Sequence, residues 1–359
     1  MTKKKWTIYG AIATALVITV FSVNTFADDN AWVEEDRARE VKALVDDILS
    51  DADDRAMFQG NGSSVSVNLH GFLQSRWTYN AGGDTDASSG FSLNRSRLIL
   101  SGDVYNWSYE VSGQWNDGGD FTLMDAYGTT DFAGLDFKFG QFKSPFMREV
   151  LVSDIDTLAA DRSIVSNTFG QGRSQGIEFG RDLGALDVHV AYTDGFNTDN
   201  GAGVDNGYAL TGRAELELSR WWDIGAAISW NDLDTTDYWT YTVDTGVALG
   251  IVDLTAAYVG VNRDAGDDWA TTVQASFDLT GNCQPFVQYE YGRLESETED
   301  LSVITVGTNI HLNDNVRWTT GVGYSLNGIS SGWDVSDSGW NTGTEVDEYV
   351  ISSQITVQF

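Results

Sequence analysis

Eight basic side chains crowd the first half of the chain: Arg76, Arg95, Arg97, Lys138, Lys143, Arg148, Arg162 and Arg173. A guanidinium offers a planar fork of N–H donors matching two oxygens of a phosphate or carboxylate, and a lysine adds a compact positive charge. The chemistry these residues support is anion binding. With Asp125 as a counter-charge they form the candidate site. For Arg95 and Arg97 two readings stand level: carrying an anion, or pairing with Glu110, Asp125, Asp136 and Glu178 to brace the structure. Catalysis finds no such set. His70, His189 and His311 fall at alternating positions without a nucleophile motif, and no phosphate loop, zinc spacing or dinucleotide fingerprint accompanies them. The expectation is a protein that is not an enzyme and has no cofactor or metal.

The elements holding these residues centre on the stretch from Gly134 to Arg173. Leu135, Phe137 and Phe139 alternate with Asp136 and Lys138, as in a strand with two unlike faces. Pro145, one of only 2 prolines, ends that ladder because proline has no N–H to donate. Roughly thirty residues without a strand period follow, far longer than an ordinary connection.

Around this stretch the chain reads as sixteen alternating segments, from 65–79 to 346–359. Connections alternate between short ones, such as Val104-Tyr105 and Leu183-Gly184, and long polar ones, such as 195–206 and 330–345. In the seventh segment Leu186, Val188, Val190 and Tyr192 share one face, and Asp187, His189 and Thr193 the other. Trp77, Tyr79, Trp107, Trp115, Trp222, Trp230, Trp269 and Tyr349 recur near segment ends, like the aromatic girdles of a membrane barrel. The final segment closes on Phe359, a terminal aromatic. These features predict an all-β membrane protein, a 16-stranded antiparallel transmembrane β-barrel with an inward-folded third loop. Strand parity points Arg76, Arg95, Arg97 and Lys138 into the lumen; Lys143, Arg148, Arg162 and Arg173 belong to the long loop or its roots.

The N-terminal residues differ. Lys3, Lys4 and Lys5 precede an apolar run from Ile8 to Val20, with small residues Thr25 and Ala27 beyond it, which reads as a signal peptide over 1–27. Val41, Leu44, Val45, Ile48, Leu49 and Ala52 recur at helical steps, predicting a short periplasmic helix over 28–58, long enough for a small coiled coil or a contact with the cell wall. Residues 59–64 form a linker, and 65–359 the barrel. A net charge of −32, from 53 acidic against 21 basic residues, excludes a nucleic-acid partner. Cys283 stands alone, so no disulfide framework exists.

A set of motifs resembles the phosphate-selective porin O and P family: Arg95-Ser96-Arg97-Leu98-Ile99-Leu100-Ser101-Gly102, Trp107-Ser108-Tyr109-Glu110, Asp125-Ala126-Tyr127, Gly140-Gln141-Phe142-Lys143-Ser144-Pro145-Phe146, Ala160-Asp161-Arg162-Ser163 and Gly172-Arg173-Ser174-Gln175-Gly176. The specific part covers roughly residues 91 to 180. The resemblance implies a sixteen-stranded homotrimeric channel of the bacterial outer membrane, its third loop narrowing a pore lined by arginines and a lysine cluster. This chain departs from that pattern. Its later strands offer only Arg213 and Arg317 as inward basic residues, against Glu215, Glu217, Asp223, Asp244, Asp253, Asp278 and Glu290, and no lysine cluster accompanies Lys143. The expectation is a porin seated in outer-membrane lipid that passes small hydrophilic solutes and ions, phosphate among the candidates, with one basic and one acidic wall. Alternatives are a structural or adhesive barrel tied to the cell wall and, behind it, an outer-membrane enzyme.

Overall fold

A computed structural model describes residues 65–359, apart from 83–84, 116–118, 196–206, 233–236, 264–265, 280, 337 and 344–345. The signal peptide, helix and linker expected over 1–64 lie outside the described residues.

Sixteen strands, each hydrogen-bonded antiparallel to its neighbours, close into a barrel by pairing the first with the last. They are β1 (Asn68–Gly82), β2 (Thr85–Val104), β3 (Trp107–Trp115), β4 (Phe121–Phe132), β5 (Leu135–Lys143), β6 (Arg173–Asp182), β7 (Leu186–Thr193) and β8 (Tyr208–Ser219). The second half comprises β9 (Trp222–Asp232), β10 (Asp237–Leu249), β11 (Val252–Arg263), β12 (Gly266–Phe277), β13 (Cys283–Arg293), β14 (Leu301–Asn313), β15 (Val316–Ser325) and β16 (Tyr349–Gln358). Closure matters because lipid offers no partner to an open edge. At the seam, the Gly71 and Phe359 backbones exchange N–H···O bonds of 3.0 and 3.1 Å, and Phe72 pairs with Gln358.

Burial follows the alternation. In β1, Phe72, Gln74, Arg76 and Asn80 are buried, and Leu73 between them is exposed. The exposed apolar set includes Val190, Tyr192, Ile228, Val243, Val306 and Ile355, so the outer face is the apolar one. Aromatic pairs run round it: Trp77–Tyr79, Tyr79–Tyr349, Trp230–Trp239, Tyr258–Trp269 and Trp269–Tyr291, with centroids 4.8–6.3 Å apart. Short turns close one end. Gly134 and Gly250 hold φ of 78° and 69° there, the left-handed region that a two-residue turn demands and that only glycine enters freely.

Sequence periodicity placed both strand ends flanking the β15–β16 connection too far out. Residues 326–329 and 346–348 belong to the β15–β16 connection, because Ile329, 0% exposed, turns into an apolar cluster instead of continuing β15. The stretch between β5 and β6 also holds two short helices, α1 (Arg148–Leu151) and α2 (Ile164–Phe169). Ser163 caps α2 by accepting from the Ser166 N–H at 3.0 Å. Glu149 of α1 accepts from the Ser163 N–H and from the hydroxyls of Ser163 and Ser166, tying the helices together.

This segment is anchored to the barrel by an apolar cluster of Phe146, Met147, Val150, Ile164, Val165 and Phe169 against Val259, Val261, Ala270, Leu301 and Val303 of β11, β12 and β14. Ile329 and Trp333 complete the cluster from the β15–β16 connection, where Trp333 meets the Phe169 ring edge-on at 5.8 Å. Replacing a buried phenylalanine by alanine costs about 3–5 kcal/mol. Phe169→Ala should leave the barrel folded, retaining its gel mobility shift on heating, while speeding tryptic cleavage after Arg148 and Arg162. Unchanged cleavage would show that the cluster does not hold the segment.

Candidate functional site

The first elements of the site are β1 and β2. Alternation turns Gln74 and Arg76 to the inner face, and an irregularity in the β1–β2 register, between Gln74/Arg95 and Ser75/Leu93, inserts Asn94 as an extra residue. Asn94 and Arg95 therefore serve the same interior: the Asn94 side chain accepts from Arg76 Nη2 at 3.2 Å and donates to Gln354 at 3.0 Å.

Two carboxylates from the β5–β6 connection meet these arginines. Asp161 binds Arg76 Nη1 at 2.5 Å and Arg95 Nη2 at 2.8 Å. Asp154, whose side chain is 2% exposed, takes Arg97 Nη1 at 2.6 Å, has Arg95 Nε at 3.8 Å, and pairs with Arg162. Its backbone carbonyl accepts from Gln74 Nε2 at 3.1 Å. Burial alone would push the Asp154 carboxyl up, but the charges of Arg162, Arg97, Arg95 and Lys143 outweigh it and hold the group well below the usual carboxylate range. Arg97 spends its other donors on Gln114 at 3.2 and 2.6 Å.

The remaining candidates divide. Arg173 clasps Asp125 with two bonds of 3.0 and 2.7 Å, Asp125 also accepting from the Ser112 hydroxyl. Lys143 donates to the Val152 carbonyl at 2.9 Å. Lys138 lies apart, pairing with Glu178 at 3.0 Å beside His189. Arg148 reaches Asp223 and Asp244, the latter at 2.6 Å, and Asp244 is shared with Arg213 at 2.8 Å. The structure thus joins Arg76, Arg95, Arg97, Asp125, Lys143, Arg162 and Arg173 in one region and leaves Lys138 and Arg148 elsewhere.

A cavity of about 270 Å³ opens beside the joined set, lined by Arg95, Lys143, Arg162 and Arg173 against Asp161 and Asp334. A second, of about 210 Å³, is lined by Glu149, Asp156, Asp244 and Asp253 with Arg148 as its one cation. One side of the interior is basic and the other acidic. Of the partners that the bracing alternative offered, Asp125 pairs with Arg173 and Glu178 with Lys138, while Arg76, Arg95 and Arg97 meet Asp154 and Asp161 instead of Glu110 or Asp136. The neutral residues Gln74, Asn94 and Gln114 escaped notice, although Gln74 stands two positions from Arg76 on one strand face, which was the available signal.

The phosphate-selective porin O and P family model matches residues 66–245. The chain belongs to that family. The match extends well beyond the motifs at 91–180, and it makes the protein a porin of the bacterial outer membrane. No curated protein sequence matches it. Among solved structures it resembles the anion-selective porin from Comamonas acidovorans, at 14% identity and a TM-score of 0.67, over 82% of this chain and 100% of that one. Salmonella typhi OmpF in complex with daunomycin shares 15% identity with a TM-score of 0.63, covering 82% and 98%. In vitro folded OmpT of Vibrio cholerae, in its trimer form, shares 12% with a TM-score of 0.57, covering 82% and 100%. At these identities the likeness concerns the fold of the porin.

Asp154 also makes the site acid-sensitive. Because its folded pKa lies below the ordinary 3.8, its contribution to stability is full above that value and is lost as pH falls below it. Removing one partner of a buried pair costs about 3–5 kcal/mol. Asp154→Asn should lower the melting temperature at pH 7 and flatten the decline of stability below pH ~4. A mutant with the same acid limb as the parent would show that another carboxylate carries it.

Proposed function

We propose that this porin passes small hydrophilic solutes through a constriction built by the β5–β6 connection, and that its basic side favours anions, phosphate among them. The connection's bonds reach strands all round the barrel: Asp154 to Gln74 of β1, Phe146 to Arg213 of β8, the Val165 N–H to Glu290 of β13, and Leu158 to Asn309 of β14. Bonds to walls that distant support reading the segment as the inward third loop. The observation that carries the anion preference is the cavity with four cations and two carboxylates.

Lys138, Arg148 and the acidic cavity would then shape the rest of the route, giving a field across the pore rather than a uniformly basic channel. Such a field orders water and dipolar solutes while admitting ions of both signs, with weak rather than strict selectivity. Residues 1–27 we read as the export signal and 28–58 as a periplasmic helix. A homotrimer is the assembly this reading adopts, in keeping with the trimer form recorded for OmpT.

A unit charge 4 Å from the ion path changes its energy by about 1 kcal/mol in water, or about fivefold in permeability ratio. In planar bilayers under a potassium chloride gradient, the wild-type reversal potential should take the sign of chloride diffusion, and phosphate should reduce the chloride current. Arg95→Gln should lower the chloride-to-potassium permeability ratio about fivefold. A wild-type potential with the sign of potassium diffusion would reject the anion reading.

A further inference from the structure

The acidic cavity between the β5–β6 connection and the wall holds charges that neither side answers. Its wall is β10, β11 and β12 in register. Asp244, Ala257 and Thr272 form one row, Gly246, Thr255 and Gln274 the next, and Ala248, Asp253 and Ser276 the third. None of the three rows contains a basic residue. Successive rows are two residues apart, so the third lies about 13 Å along the strands from the first. Asp253 follows the short Gly250-Ile251 turn, which places that row near the periplasmic rim.

Four carboxylates line the cavity, and two of them are occupied. Asp244 is held by Arg148 at 2.6 Å and by Arg213 at 2.8 Å. Glu149 accepts from the Ser163 N–H and from the Ser163 and Ser166 hydroxyls. Arg148, the one lining cation, lies close over Gly246, where a Cβ would stand 2.8 Å from its Nη1. Asp253 on the wall and Asp156 on the connection are exposed, and neither carboxylate has a hydrogen bond or ion pair among the described residues. Arg317 of β15 senses the Asp156 charge without a bond between them.

A second observation is independent of charge. Thr272 lines the same cavity and is only 5% exposed, yet its hydroxyl has no hydrogen-bond partner among the described residues. A buried hydroxyl ordinarily has one. Carbon surface separates these polar groups, contributed by Val152, Leu158 and Ala257. An ammonium supplies three N–H donors, which a carboxylate or a hydroxyl oxygen accepts. Among the described residues no three acidic, histidine or cysteine side chains converge to hold a metal ion. One free carboxylate on the wall and another on the connection instead suit two charges spaced along a carbon chain.

We infer that this cavity of about 210 Å³ is a binding site for an elongated aliphatic diamine, held by Asp253, Asp156 and Thr272. The ammonium groups answer the two free carboxylates, the chain covers Val152, Leu158 and Ala257, and the Thr272 hydroxyl accepts one of the remaining N–H bonds. This rests on reading the β5–β6 connection as a constriction, because a diamine lodged against it then narrows the aqueous passage and lowers the current.

The test is calorimetric binding of hexamethylenediamine to the folded protein in detergent, with inhibition of potassium chloride current in planar bilayers as a second readout. Wild type should bind the diamine and lose current on its addition. Hexylamine, with the same chain and one charge, should bind about fivefold more weakly, and magnesium chloride at equal concentration should not displace the diamine. Asp253→Asn and Asp156→Asn should each weaken binding about fivefold. Thr272→Val, which leaves the charge unchanged, should weaken it as well, whereas Asp131→Asn on β4, seven strands from β11, should not. The gel mobility shift on heating checks that each variant is folded. Displacement by magnesium, or equal losses in Asp131→Asn and Asp253→Asn, would reduce the effect to charge screening and overturn the site. Channel activity without binding would overturn the site and leave the porin reading. Binding without channel activity would overturn the porin reading and leave the site.

Discussion

Charges taken from water must be answered by charges or hydrogen bonds, and this requirement binds wall and loop into one structure. Arg76, Arg95 and Arg97 project from β1 and β2 into a confined interior, and Asp154 and Asp161 reach them from a connection that leaves the barrel at β5. Neither partner tolerates that geometry alone. The charges of the wall and of the connection are therefore answered together, three arginines against two carboxylates. Arg162 and Lys143, which belong to the loop and its root, add further cations around the same Asp154.

The loop's other attachment follows a different rule. Its apolar cluster with β11, β12, β14 and the β15–β16 connection lies on the barrel's inner side, where most buried side chains are polar. A porin wall is turned inside out relative to a soluble protein, yet this patch restores the ordinary arrangement of leucine, valine and phenylalanine away from water. Ion pairs locate one side of the loop and dispersion the other. The acidic cavity near Arg148 and the basic cavity near Arg173 stand on different sides of this divided attachment.

Much of this was legible beforehand, and the reasons differ by element. Alternation with a period of two, short turns and a terminal Phe359 were enough to give the sixteen strands and their facing, because a lipid-facing wall tolerates few exceptions. Arg76, Arg95, Arg97 and Lys138 fell on the side that parity assigned. Parity says nothing about partners brought from afar. Asp161 meets Arg76 across 85 positions and Arg148 meets Asp244 across 96, and no local pattern encodes either. The Asn94 insertion shifts register by one residue without a glycine or proline to announce it. Helices α1 and α2, of 4 and 6 residues, are too short to display a helical period.

The seam between β1 and β16 has a consequence for synthesis. Pairing Phe72 with Gln358 joins residues from opposite ends of the barrel sequence, about the longest-range contact such a chain can make. The wall therefore cannot close until the last strand has been made and exported. Until then two unpaired edges remain open to the edges of other chains. A barrel without β16 (Tyr349–Gln358) would keep both edges unpaired, β1 on one side and β15 on the other.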